Sequence, residues 1–489
     1  MLTQPTPLAP RPSRTAALLD RFRAVRSATM SFCTPLTPED MMVQSCAEAS
    51  PVKWHLAHTS WFFETFVLSE FVAGYQPFDP SFKWLFNSYY RSLGEMPEKK
   101  LRASFSRPSL DQVLAYRRHV DAAIERLLAH IAPDEAQRRI VLGLEHEQQH
   151  LELAATDIKH AFFTNPLHPA YLPLATAPPI GDRMAPPLGW LSFTPGTSKY
   201  PGIVGIGVTP DPNNLGPSGT SLSGNAAFAF DNETPRHPIY LAPFRLATRP
   251  VTCAEYLAFL DEDGYARPEL WLSEGWDTLH AEGWQAPLYW QRDTATKSGW
   301  RIFTLRGWQP LDDISETPVC HLSFFEADAF ARWSGHRLPT EFEWEFVAAQ
   351  IPSPAQLSAS PAISASQTTA SPGLAAGFSP GPSPAPANML EQQSFHPQPA
   401  HPSLDPHQPQ QLFGDVWEWT QSPYTGYPGY RPLPGALGEY NGKFMSSQIV
   451  LRGGSCVTPE THIRATYRNF FSPSTRWQFS GLRLARDGA

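Results

Sequence analysis

The chain changes character at Asn165-Pro166, and that change limits what it can fold into. Before it, long stretches free of Gly and Pro repeat apolar residues at helical spacing; after it, Gly, Trp and Pro break the chain into short apolar runs. A chain of 489 residues exceeds one ordinary core, so two or three domains are expected. In the first part, helices are predicted from Ser13 through Leu18, Phe22 and Val25, from Thr37-Pro38-Glu39-Asp40, and from Ser50-Pro51 through His55, His58, Trp61, Phe62 and Phe66. Two longer ones follow over residues 109–131 and 133–163. The set describes a helical bundle, whose interior lets facing helices pool ligands.

Beyond the Pro-rich linker, residues 238–246 read as strand and residues 254–260 and 324–334 as helix, an α+β pattern with much irregular chain. Residues 351–410 consist almost wholly of Ser, Pro, Ala, Gln and Gly, with Glu391 and Asp405 as their only formal charges. Nothing there offsets the entropy of ordering, so a disordered insertion is expected, as is a mobile tail over residues 1–12.

Within residues 139–153, His146 and His150 stand four apart on a predicted helix, so their imidazoles share one face and can share a metal. The letters H-E-x-x-H are also the zinc-peptidase signature, in which the Glu, here Glu147, is general base for a zinc-bound water. The plainer alternative is two polar histidines on a solvated helix face. A second pair upstream, in Trp54-His55-Leu56-Ala57-His58, strengthens the metal reading.

Charge and cysteine usage exclude several classes. A formal net charge of −8 gives no electrostatic footprint for nucleic acid. The N-terminus has no apolar core behind a basic start, and no run of 18 apolar residues occurs, which argues against secretion and membrane insertion. Cys33, Cys46, Cys253, Cys320 and Cys456 are dispersed with no C-x-x-C pair, which suits reduced thiols in a cytoplasm. A cytoplasmic monomer is the expectation.

The second half carries an ordered series of motifs: Glu233-Thr-Pro-Arg-His237, Val251-Thr252 with Tyr256 and Phe259, and Arg337-Leu-Pro-Thr340-Glu341-x-Glu343-Trp344-Glu345. Gly414-Asp-Val-Trp-Glu-Trp419, Arg452-Gly-Gly-Ser455 and Gly481-Leu-Arg-Leu484 complete it. The series resembles the formylglycine-generating-enzyme fold, a C-type-lectin-like module, and the first half resembles the DinB-like four-helix bundle. Fused in this order, the two resemble the ergothioneine-biosynthesis sulfoxide synthases, non-haem iron enzymes that join sulfur to C2 of the hercynine imidazole using dioxygen. The implied architecture is a tail over 1–12, a bundle over 13–165, a linker over 166–187 and a lectin-like domain over 188–489 that holds the 351–410 insertion.

The resemblance implies that His58, His146 and His150 hold Fe(II), leaving three open positions for a donor thiolate, the hercynine imidazole and dioxygen. It leaves His55 without a ligand role and makes Glu147 a structural carboxylate. Gln149 matches the position that hydrogen-bonds the substrate imidazole, and Asn469 the one that contacts its betaine carboxylate. Tyr90, and after it Tyr89, would donate a proton to reduced oxygen. Where the mycobacterial-type branch has Trp-Asp after the Asn, this chain has Phe470-Phe471, and the missing acid favours cysteine or another donor over γ-glutamylcysteine. A donor carboxylate needs a cation, for which Arg102 and then Arg91 are the candidates.

Rival functions within the resemblance are a selenoneine synthase using a selenosugar and an ovothiol-type synthase acting on histidine; a non-catalytic lectin-like binding module is more distant. Copper-dependent formylglycine generation is disfavoured, because only Cys456 follows Ser455 and it has no partner cysteine after it.

Overall fold

The computed structural model describes residues 14–130, 132–173, 184–209, 228–358, 387–401 and 408–488. Among the described residues four long helices build the N-terminal part: α1 (Arg14–Cys33), α2 (Val52–Phe63), α3 (Leu110–Ala129) and α4 (Asp134–Thr164). Every residue of α2 is buried, so this helix lies inside the bundle, where it packs on α3 and α4. α3 starts at Ser109, whose hydroxyl accepts from Gln112 N–H while the Gln112 side chain accepts from Ser109 N–H. α2 and α4 approach closely at Gly143, where a Cβ would stand 2.5 Å from Phe63 Cε1. The missing side chain lets the two histidine-bearing helices meet.

The helix expected from Thr37 reduces to the single turn Asp40–Met42. Thr37 N–H donates to the Asp40 carboxylate at 2.9 Å and Asp40 N–H to the Thr37 hydroxyl at 3.1 Å, so these groups close a local turn instead of opening a helix. Residues 1–12 and Ile131 lie outside the described residues. After α4 the chain is anchored to both parts: the Tyr171 hydroxyl donates to Phe32 O at 2.7 Å, and Tyr171 N–H to Leu305 O at 2.8 Å.

Among the described residues the second part holds four small sheets. β1 (Trp190–Phe193), β4 (Phe244–Ala247) and β12 (Ala485–Asp487) form one, and β2 (Ile203–Ile206) with β3 (His237–Tyr240) another. β5 (Trp290–Arg292), β6 (Trp300–Thr304) and β7 (Gly307–Pro310) make the third, and β8 (Trp417–Pro423), β9 (Ile449–Arg452), β10 (Asn469–Phe471) and β11 (Ser480–Gly481) the fourth, in the order β10-β9-β8-β11. The single strand expected over 238–246 is two strands in different sheets, separated at Leu241-Ala242-Pro243, where Pro243 offers no N–H to a ladder. Helices α5 (Cys253–Asp261), α6 (Phe324–Trp333) and α7 (Glu341–Ala348) each open on a capping box, Thr252/Glu255, Ser323/Glu326 and Thr340/Glu343.

Residues 351–358 and 387–401, expected to belong to a disordered insertion, are ordered. Residues 387–401 pack against the domain, with Met389, Phe395, His396 and Ala400 buried and the Asn388 amide donating to Asp415 at 2.7 Å. Residues 354–358 form a helical turn (Pro354–Ser358), while 359–386 and 402–407 lie outside the described residues. No helix among the described residues is long and apolar enough to cross a membrane.

Candidate metal centre

His58, on α2, and His146 and His150, on α4, each offer a ligand atom within 4.8 Å of the others. Their ring centroids lie 4.5–5.0 Å apart. His58 Nδ1–H donates to the Phe86 carbonyl at 2.7 Å, which leaves Nε2 as the lone-pair nitrogen. That Nε2, and both nitrogens of His146, are buried without a hydrogen-bond partner among the described residues. Buried polar atoms are rarely left so, and converging orphan imidazoles are what a metal would satisfy. Burial lowers the pKa of all three rings, and their mutual proximity lowers His58 and His150 further; His146 falls to about 3. Neutral imidazole is the form that binds a divalent cation.

An outer layer orients the cluster. His150 Nδ1 lies 2.8 Å from His55 Nδ1, and His55 Nε2 lies 3.1 Å from the Asp157 carboxylate. Trp54 and Trp61 stack on His58 at 4.5 and 5.3 Å between centroids. Glu147 points elsewhere: its carboxylate accepts from Arg26 at 2.8 Å, from the Thr29 hydroxyl at 2.8 Å and from Arg117, all buried. Burial alone would raise its pKa, but Arg117 and Arg26 outweigh that and hold it at about 2. A carboxylate locked between two guanidiniums is no general base, and the peptidase reading ends there.

The remaining candidates separate into several environments. Tyr90 is buried, its phenol beside that of Tyr89 and its ring against Trp61, Phe66 and Tyr89. Tyr89 faces the second domain, touching Tyr440 and Phe444. Gln149 donates to the Tyr467 hydroxyl at 2.6 Å. Asn469 begins β10, its side-chain oxygen accepting from Phe470 N–H at 2.9 Å; Phe470 stacks on Tyr424 at 4.0 Å, and Phe471 packs near Trp477. Arg102 is buried over the Trp54 ring, 3.5 Å from its centroid, and donates to the Ser50 and Ser88 hydroxyls at 2.8 and 3.1 Å. Arg91, by contrast, is exposed, and its backbone N–H donates to Glu439 at 3.0 Å, so the fold brings Arg102 and not Arg91 into contact with the ring cluster.

Tyr440, from the second domain, packs edge-on against His146 at 5.5 Å, with its buried hydroxyl unpartnered. Nothing in Gly438-Glu439-Tyr440-Asn441 marks it, because only tertiary packing brings it to the histidines. The second domain also grips α4 along one stripe. Glu145 meets His462 at 2.6 Å, Gln148 meets Thr461 at 2.6 Å, and Lys159 meets His321 at 2.6 Å. Glu152 accepts from the Thr458 hydroxyl at 2.8 Å, the Ser455 hydroxyl at 3.3 Å and the Trp417 indole.

A helical bundle and a domain of small sheets thus share a buried cluster of three histidines at their contact face. Residues 21–154 match the DinB superfamily and residues 214–488 match the sulfatase-modifying factor enzyme 1-like domain. The hercynine oxygenase of Mycolicibacterium smegmatis is 31% identical over 383 residues, 76% of this chain and 77% of that protein. Those of Mycolicibacterium thermoresistibile and Mycobacterium tuberculosis are 33% and 34% identical over 58% and 53% of this chain, and 63% and 56% of their own lengths. The chain belongs to the hercynine oxygenase family and is an oxidoreductase of that kind.

Proposed function

We propose that this protein is a non-haem iron(II), dioxygen-dependent sulfoxide synthase that joins a thiol donor to C2 of the hercynine imidazole in ergothioneine biosynthesis. The observation that carries the reading is the converging set of orphan imidazole nitrogens on His58 and His146 beside His150. Bound iron would supply the redox chemistry with dioxygen and acidify a coordinated thiol.

The chain's own residues would do the rest. Arg102 is 5% exposed and makes no ion pair among the described residues. Burial draws its pKa down to about 9, an effect that Asp157 only partly offsets. A buried cation held by two serine hydroxyls wants an anion, and the carboxylate of a cysteine donor fits, a group that a simple selenosugar lacks. The Gln149 amide, now on Tyr467, would turn to the substrate imidazole, and Asn469 would meet the betaine carboxylate. Burial raises the Tyr90 phenol, so it stays protonated at neutral pH and can deliver a proton to reduced oxygen.

The test is anaerobic reconstitution with Fe(II), then air with hercynine and, in parallel, cysteine, γ-glutamylcysteine or a selenosugar, with products read by mass. A hercynyl sulfoxide from cysteine is expected. Product from the selenosugar alone would overturn the donor assignment, and no oxygen uptake with any donor would overturn the reading. In the same assay Tyr90→Phe should keep substrate affinity while sulfoxide formation falls by about 10²-fold or more, the scale of a lost general acid, with turnover diverted to thiol oxidation. An unchanged sulfoxide yield would remove Tyr90 from the mechanism.

A further inference from the structure

His55 sits one helical turn before His58 on α2 and has no place in the ligand set, yet neither of its nitrogens is idle. Nε2 faces Asp157 Oδ2 at 3.1 Å, and Nδ1 faces His150 Nδ1 at 2.8 Å. The same Asp157 oxygen accepts from Ser50 N–H at 2.8 Å, which fixes the carboxylate at the entry to α2. An ionised carboxylate only accepts hydrogen bonds, so the proton of this contact belongs to His55 Nε2. A neutral His55 then has its lone pair on Nδ1. The His150 Nδ1 facing it must carry hydrogen, and the lone pair of His150 is left on Nε2.

We propose that His55, oriented by Asp157, is a positioning residue that sets the tautomer and ring direction of His150, so that His150 Nε2 is offered to the metal. The relay runs from α4 to α2 and back to α4, from Asp157 through His55 to His150, and so also ties together the two helices that carry the ligands. His55 cannot serve as a spare ligand while both its nitrogens are engaged. Carboxylate–histidine pairs behind a ligand act in this way at metal sites, and their loss costs about 10–100-fold in metal affinity. The assignment rests on the reading that His58, His146 and His150 hold a metal.

The measurement is metal affinity of the full chain, by competition between the protein and a coloured chelator for Co(II) and Fe(II), together with the visible spectrum of the Co(II) form. His55→Phe keeps an aromatic ring but offers no acceptor, and should weaken binding by about 10–100-fold and alter the Co(II) spectrum. His55→Asn places an amide oxygen near the position of Nδ1 and should recover most of the affinity and the wild-type spectrum. Asp157→Asn should fall between the two. His55→Phe with wild-type affinity and spectrum overturns the proposal, and so does equal loss in the Phe and Asn variants, which a packing role alone would give. If His55→Phe fails to fold, Asp157→Asn decides, and wild-type binding there overturns the relay. His146→Ala is run alongside: if it loses the metal while His55→Phe keeps it, only the relay fails. If His146→Ala also keeps it, the three-histidine reading has failed.

Discussion

Replacing His146 with Ala is expected to abolish metal binding while leaving the protein folded. The ring makes no hydrogen bond among the described residues, and its aromatic neighbours are Phe62, at 4.9 Å, the other two histidines and Tyr440. Its removal therefore deletes a ligand without opening a polar network. Outer-layer changes at metal sites already cost about 10–100-fold in affinity, so loss of a ligand should exceed that. A ligand that binds only the folded state at about 100 times its Kd adds about 2.7 kcal/mol of stability. Added Fe(II) should thus raise the Tm of the wild-type protein under anaerobic conditions and leave that of the variant where it was. Metal content after reconstitution gives the direct check, and stoichiometric metal in the variant would remove His146 from the site.

Much of the first domain was legible because its information is local. The cap at Ser109 lies three residues from its partner, as do those at Thr252, Ser323 and Thr340 in the second domain, and the pairing of His146 with His150 needs only helical periodicity. Local order also explains the misses. The Thr37 and Asp40 groups signal a helix start and a closed turn alike, and the packing of Met389 and Phe395 cannot be seen in the composition of the segment around them. The motifs of the second half were recognisable as a pattern without their purpose being visible. Trp417 and Ser455 converge on Glu152 of α4, and Gly453, at φ +104° and with a would-be Cβ 2.6 Å from Leu412 O, makes the turn that delivers Ser455. Tyr440, Tyr467, His462 and Asp157 belong to contacts between distant stretches, such as the 318-residue separation of Gln149 and Tyr467, and no spacing rule reaches across it.

Glu147→Gln should destabilise the fold far more than it alters any chemical step, because this carboxylate is structural. It is fully buried, with its two oxygens accepting from Arg26, Arg117 and Thr29 across α1, α3 and α4. A neutral amide leaves two guanidiniums buried with less negative charge to meet them, and breaking a buried pair from one side costs about 3–5 kcal/mol. The depressed pKa points to the same scale: a fall from 4.5 to about 2, at about 1.4 kcal/mol per tenfold change in proton affinity, corresponds to about 3 kcal/mol. The sign follows from the direction. A carboxylate whose pKa is lower in the folded than in the unfolded state contributes its stability above the unfolded value. That contribution is lost as pH falls through the window from about 4.5 toward 2. Denaturant unfolding at pH 7 should therefore show a large drop in midpoint for Glu147→Gln, and the variant should lose part of the wild-type decline between pH 5 and pH 3. Wild-type stability combined with complete loss of turnover would reverse the assignment and return Glu147 to the role of a base, which its distance from solvent and its two arginine partners argue against.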